Sequence, residues 1–407
     1  MVKRLAVVGG GTGGTFTANM LSAKLRERVR AGEVEILLVG EGFRHHFQPA
    51  NMDIAFRGAH PDDQSRSEMD LLKPEVKFIP DPARRIDLDE RTIDTEGGDH
   101  FKYDRVVIAT GSEANPRLVS GLAEGSVNFH TSPINAMKVW ESLRNLRKGR
   151  IGVLIAGVPH KCPPAPDEAV LLIEEQARRW GIRGDVEITL LTPYARAYPA
   201  AKISRIIAPI FDERGIKMMP FFNVDYVDPA AKRAYSLEGD EYAYDLLIAI
   251  PPHRGARVVR DSGLGDGEGW IKTDRRTMKI QGHDDAFAIG DATNIPISKS
   301  GMVAHQESKV VAANLAAEVD GEDRVLDYNG RLSCPVAVGN RRAFIISGTY
   351  DKPVSGQAPS LLKYEMMRGF GAIYWSALTG GWEWMLDAYL GPTSEEEPRK
   401  SPGAAQS

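Results

Sequence analysis

Cysteine is the scarcest chemistry in this chain, with two in 407 residues. Two thiols cannot build a disulfide framework, and neither stands in a C-x-x-C or zinc-type spacing, so no structural metal is expected. Long apolar runs are also missing: nowhere do about 18 apolar residues follow one another, which argues against a spanning helix. Charge of one sign is not in excess, and a formal net charge of -4 gives no electrostatic footprint for nucleic acid. The opening Met1-Val2-Lys3-Arg4-Leu5-Ala6-Val7-Val8 lacks an apolar h-region and a cleavage site, so no signal peptide is expected. Peripheral membrane contact stays open. The length allows two or three domains with ample core.

Glycine is present, and its placement is informative. Leu5-Ala6-Val7-Val8 reads as a short buried strand that runs into Gly9-Gly10-Gly11-Thr12-Gly13-Gly14. Gly9 permits the tight turn, Gly11 lets backbone approach a pyrophosphate, and Gly14 lets a helix pack closely on the strand. Gly13 lies in the same turn. The spacing predicts a helix from near Thr15, then a strand over 34–39 ending at Gly40-Glu41. Glu41 lies 27 residues after Gly14, close to where an acid should take the ribose hydroxyls. A strand ending in Ala109-Thr110-Gly111, and another ending in Gly290-Asp291, resemble the ATG and GD segments of two-dinucleotide-domain FAD oxidoreductases. The cofactor implied is FAD. Read alone, Asp291 has a plain alternative as a helix N-cap.

A second α/β alternation follows. Helices are predicted over 133–146, 165–180 and 203–214, and strands over 151–156, 185–191 and 244–250. This is the order of a doubly wound domain. A nicotinamide nucleotide would need a second glycine-rich turn after the first of these strands. The chain has Gly157-Val158-Pro159-His160-Lys161-Cys162 instead. Proline and bulky side chains keep backbone from a pyrophosphate, so the nicotinamide site reads as lost and the cleft as reassigned to a thiol.

The other cysteine, Cys334, lies 172 residues on. Both cysteines precede proline, which predicts extended loops for both. His160, Lys161 and the first turn of the helix from Ala165 are expected to favour the nucleophilic thiolate of Cys162. Two buried free cysteines are the plain alternative.

The motifs GGGTGG at 9–14, HFQP at 46–49, ATG at 109–111, HKCPPAP at 160–166, GDATNIPISKSG at 290–301 and YNGRLSCPVAVG at 328–339 resemble the sulfide:quinone oxidoreductases. More broadly they resemble the group that includes flavocytochrome c sulfide dehydrogenase and the type II NADH dehydrogenases. The two cysteine motifs are the specific ones. The resemblance implies two Rossmann-like, doubly wound α/β domains of the disulfide reductase type, with a C-terminal helical membrane-interface segment. It divides the chain into an FAD domain (1–120 and 275–330), a second Rossmann-like domain (121–274), a C-terminal region (331–393) and a disordered tail (394–407). In such families the loop with Gln48 and Pro49 approaches the flavin ring; without the resemblance it reads as a surface loop.

The resemblance also implies chemistry. Sulfide attacks a Cys162–Cys334 bridge, a persulfide remains on one cysteine, and two electrons pass through FAD to a quinone. Glu168 is then a candidate proton acceptor, or merely a helix-dipole acid. Lys299 is a candidate for positive charge near the flavin, or a surface ion pair. His305 is held as packing or site. The family often carries a third cysteine after the ATG turn, which Gly111-Ser112-Glu113-Ala114-Asn115-Pro116 lacks. That resembles the two-cysteine types and argues against covalent FAD at that position. Pro163-Pro164 replaces small residues and leaves the subtype open.

Between Pro359 and Pro392 aromatic and aliphatic residues crowd together, including three of the six tryptophans. Gly371, Gly380 and Gly381 predict two short helices with a break. Such helices suit a bilayer interface, where a lipid-soluble quinone is met. A homo-oligomer contact or a core cap is the alternative. Transfer to a haem partner, NADH:quinone reduction and a non-enzymatic thiol sensor are the rival functions.

Overall fold

A computed structural model describes residues 2–322, 324–390, 393–394 and 399–400. Most of the expected tail, 394–407, lies outside the described residues. Lys3–Val8 (β1), Val34–Val39 (β2), Val76–Ile79 (β3) and Arg105–Ile108 (β4) begin a parallel sheet. Between β1 and β2 runs the helix Thr12–Lys24 (α1). It begins three residues earlier than the sequence predicts, because Gly13 and Gly14 carry no Cβ and can form its first turn against β1. A Cβ on Gly14 would sit 1.8 Å from the Gly9 carbonyl oxygen. After β2, Asn51–Arg57 (α2) leads toward the second unit.

That unit contains Val127–Asn128 (β5), Pro133–Asn145 (α3), Gly149–Ile155 (β6), Ala165–Arg179 (α4), Val186–Leu191 (β7), Ala201–Arg214 (α5), Lys217–Met219 (β8) and Leu246–Ile250 (β9). Its five strands lie in the order β5-β9-β6-β7-β8. β6 and β7 are buried along most of their length, as parallel strands covered on both faces must be. The chain then returns to the first sheet with Ala286–Ala288 (β10), giving the order β10-β4-β1-β2-β3. Gly301–Asp320 (α6) packs along α1. The predicted two doubly wound α/β units are therefore present.

Leu332–Ala337 (β11) and Ala343–Gly348 (β12) form an antiparallel hairpin. Val336, Ala337, Phe344 and Ile346 enter the same core as Ile151, Val153, Ala169 and Ile173 of the second unit. This hydrophobic docking carries residue 334 to the front of α4. Leu361–Leu378 (α7) and Glu383–Leu390 (α8) follow. The break falls at 379–382, and Gly371 lies inside α7 rather than at it. Among the described residues no helix is long and apolar enough to cross a membrane.

Candidate active site

A cavity of about 610 Å³ opens at the carboxyl ends of β1, β2 and β4. Gly9, Gly11, Gly13, Glu41, Gln48, Pro49, Ala109, Thr110, Gly111, Gly290 and Asp291 all line it. Gly14 does not; it lies below the turn, holding α1 against Gly9. Gly9 has φ +114, and a Cβ there would stand 2.4 Å from the Ala109 carbonyl oxygen, so only glycine lets the two turns meet. The N-terminal ends of α1 and α6 bring Thr12 and Gly301 to the cavity wall, so backbone donors and helix dipoles suit phosphate there. Thr110 Oγ1 is buried without a partner, an orphan that a dinucleotide hydroxyl or phosphate would satisfy. The residues fit FAD.

Asp291 is no N-cap. The segment Gly290–Ala292 is a single 3₁₀ turn without a side-chain cap, and α6 is instead capped by Ser300. Burial pushes the Asp291 carboxyl up, against the pull of Lys299 and Lys161. Sequence reasoning missed Glu307, whose Oε2 accepts the Gly290 N–H at 2.6 Å. Burial lifts Glu307 to about 8. A polar residue inside the apolar face of α6 was the available signal.

Lys299 is a buried cation rather than a surface ion pair. Its Nζ donates to the carbonyls of Thr293 at 2.8 Å and Asp291 at 3.2 Å and lies 4.0 Å over the Trp270 ring. Its own carbonyl accepts the Cys162 N–H at 2.8 Å. Lys299 thus ties the Gly-Asp turn to the cysteine loop, and it does not line the cavity. Lys161 does line it.

The structure corrects two expectations about the thiols. Neither cysteine sits in an extended loop: Cys162 has φ +54, in the left-handed region, and Cys334 lies within strand β11. Proline disfavours the right-handed helical region for the residue before it, and at Cys162 the chain escapes to the opposite hand. The cost is about 1–2 kcal/mol. Nor do the neighbours favour the thiolate. Cys162 is pushed up, first by the neighbouring Cys334 thiol and then by burial. Burial holds His160 down to about 4 and so neutral. The same desolvation lowers Lys161. Water exclusion outweighs the positive charges counted along the chain.

The two thiols, 172 residues apart, pack against the same core, close enough for Cys334 to raise the Cys162 thiol. Glu168, in the first turn of α4, is buried beside them and acts on Cys162. Its Oε1 accepts the Ala337 N–H at 3.2 Å. Burial lifts it to about 8, so it carries its proton at neutral pH. Tyr198 lies near the pair from the second unit, with Asp167 and Tyr194 beside it. Behind the loop, His130 Nε2 and His160 Nδ1 each donate to the Lys161 carbonyl at 3.2 Å, with the His253 ring edge-on to His130 and tilted to His160. His130 and His253 had no sequence signal, since they lie far apart in the chain. Among the described residues no group of three His, Cys, Asp or Glu is arranged to hold a metal ion.

On the other side of the cavity, Thr12, Pro49 and Gly301 also line a small apolar cleft of about 30 Å³ under α7 and α8. Phe47, His305, Phe370 and Tyr374 complete its walls. His305 stacks on Phe16 with ring centroids 3.8 Å apart, and its Nε2 pairs with Glu383 at 3.1 Å. It is both packing and cleft wall.

The chain is 25% identical over 404 residues to the mitochondrial sulfide:quinone oxidoreductase of Mus musculus, covering 94% of this chain and 88% of the relative. It is 27% identical over 343 residues to the sulfide-quinone reductase of Aquifex aeolicus, covering 78% and 77%. The fold matches the X-ray structure of the sulfide:quinone oxidoreductase from Aquifex aeolicus with a TM-score of 0.84 at 20% identity, over 99% of this chain and 100% of that one. The pyridine nucleotide-disulphide oxidoreductase family matches residues 3–309, and with the glycine-built cavity that match establishes that the chain belongs to this family of FAD-dependent oxidoreductases.

Proposed function

We propose that this enzyme oxidises sulfide at Cys162 and Cys334 and passes the electrons through FAD to a quinone. The observation that carries the reading is the nearness of the two thiols. The only two cysteines of the chain lie near each other where a nicotinamide turn would stand, one residue from Lys161 in the cofactor cavity. The names of the relatives, sulfide:quinone oxidoreductase and sulfide-quinone reductase, support the same substrates.

In the oxidised enzyme hydrosulfide attacks one sulfur of a Cys162–Cys334 disulfide. A new S–S bond forms to that cysteine as the bridge breaks, and the second cysteine leaves as a thiolate. That thiolate and the persulfide then close a Cys162–S–S–S–Cys334 bridge, losing the persulfide proton and two electrons, and FAD, when bound, would accept those electrons. Glu168, protonated at neutral pH, donates a proton to the leaving thiolate and takes it back as the bridge re-forms. Lys299 holds the loop by its carbonyl and the Gly-Asp turn by its ammonium, and so acts as a positioning residue. The apolar cleft beside Thr12 and Gly301 is the quinone end, and a ring enters by displacing its α7 and α8 wall. Leu361, Leu362 and Trp384 on these helices, and Trp382 in the break between them, are exposed, which suits a peripheral membrane contact.

Anaerobic addition of sulfide and, in parallel, NADH to the holoenzyme tests this. Sulfide should bleach the flavin and a quinone should restore it. Bleaching by NADH and not by sulfide sinks the reading.

A further inference from the structure

The cleft under α7 borders a buried hydrogen-bonded chain with no part in the sulfide chemistry. Tyr374 Oη lies 2.8 Å from Thr12 Oγ1 and 2.8 Å from His45 Nε2. His45 Nδ1 lies 2.8 Å from Glu68 Oε2, and Glu68 Oε1 accepts the Thr15 hydroxyl at 2.5 Å. His45 and Glu68 are each 1% exposed and Tyr374 is 5% exposed. Three segments far apart in sequence therefore converge to bury an imidazole, a carboxyl and a phenol. Burying such groups is costly unless each is partnered. Here every one is, and the chain ends on a phenol at the cleft wall.

We propose that Tyr374 is the proton donor to the quinone, recharged by the His45–Glu68 pair; the inference rests on the quinone reading above. Reducing a quinone to a quinol takes two electrons and two protons. A hydride equivalent brings both electrons and one proton, and the protein must find the other. The Tyr374 O–H bond breaks as an O–H bond forms on the quinone oxygen. The phenolate then takes the Nε2 proton of His45, and Glu68 holds Nδ1 and balances the charge. Solvent restores that proton between turnovers. Burial pushes the Tyr374 phenol up, so its phenolate is not left standing and immediate recharging is required. The carboxylate–imidazole–hydroxyl order is that of a triad working in the donating direction.

A second charged group, from α6 and α8, reaches the same cleft through His305: His305 pairs with Glu383 at 3.1 Å, and Lys309 with Glu383 at 3.2 Å. The His305 nitrogen is turned to Glu383 and its ring is stacked on Phe16. Thr12 lines both the cofactor cavity and the cleft, so the hydroxyl of Tyr374 that touches it stands at their junction.

The test reoxidises sulfide-reduced holoenzyme with a short-chain ubiquinone analogue and, separately, with ferricyanide, which takes electrons without protons. Tyr374→Phe should slow the quinone reaction by about 10²-fold or more while leaving the ferricyanide rate within about twofold. Quenching of tryptophan emission by the analogue should give an affinity within about threefold of wild type. His45→Gln should reproduce the loss and alter the pH profile of the quinone step, which His305→Gln should leave in shape. An undiminished quinone rate in Tyr374→Phe, an equal loss with ferricyanide, or a loss confined to His305→Gln overturns the assignment. Wild-type enzyme that ferricyanide reoxidises and quinone does not overturns the underlying reading as well.

Discussion

The two strand-to-helix turns of this molecule sit at equivalent places and hold opposite things. After β1 three residues, Gly9–Gly11, lead into α1. After β6 nine residues, 156–164, lead into α4. The first turn has no side chains to speak of and offers backbone N–H groups to a phosphate. The second is long enough to lift His160, Lys161 and Cys162 between the two units, and Gly157 is tight only because it packs on Pro252, with a Cβ position 2.8 Å from its Cα. One frame thus offers its main chain to a cofactor, and on the function proposed above the other works through a side chain. The difference is made by a handful of residues, not by a change of fold.

The largest expected effect falls on the second turn. Cys162→Ser or Cys334→Ser should each cut sulfide-driven flavin reduction by on the order of 10³-fold or more, with the FAD absorbance retained. Full activity in either variant shows that the pair is not the site. Next comes Glu168. Its value is raised from an ordinary 4.5 to about 8, so the folded state holds a proton that the unfolded chain releases. The stability it contributes is fully present below about 4.5 and lost as pH rises through about 8. Sulfide-driven reduction should fall above about pH 8; Glu168→Gln should slow it by about 10²-fold and remove that limb. A limb that survives in Glu168→Gln assigns it to another group.

On the first turn Gly14→Ala should cost about 1–3 kcal/mol of stability and lower the FAD content, since its Cβ overlaps the Gly9 carbonyl. Thermal melting with and without added FAD reads both effects. The same substitution at Gly157 touches no cofactor, and there FAD content should stay at wild type. The smallest effect is at the outer helices. Leu362→Ser and Trp384→Ser should each weaken vesicle pelleting by about 1 kcal/mol. Deleting everything after Pro359 is a poorer test, because Tyr374, Ala377 and Leu378 are buried against the first unit.

Most of the frame was legible in the chain. Strand 34–39 and the helix from Ala165 follow from apolar runs and turn residues, and the two sheets follow from their alternation. The glycine cavity was legible residue by residue, because a backbone that must approach a ligand leaves only glycine. The electrostatics were not. His160 and Lys161 count as positive in a sequence, yet burial neutralises the first and weakens the second. The Tyr374–His45–Glu68 chain was equally invisible, because each member has an ordinary local context and only tertiary packing aligns them.

Left-handed backbone at position 162 has a practical meaning. Every L-residue with a side chain is held there against its preference, and glycine alone is at ease. Cys162→Gly therefore keeps the loop relaxed while vacating the space of one sulfur beside Cys334. The enzyme then has a vacancy shaped for a small diffusible thiol, and its half-reaction with sulfide becomes something a reagent can switch on from outside.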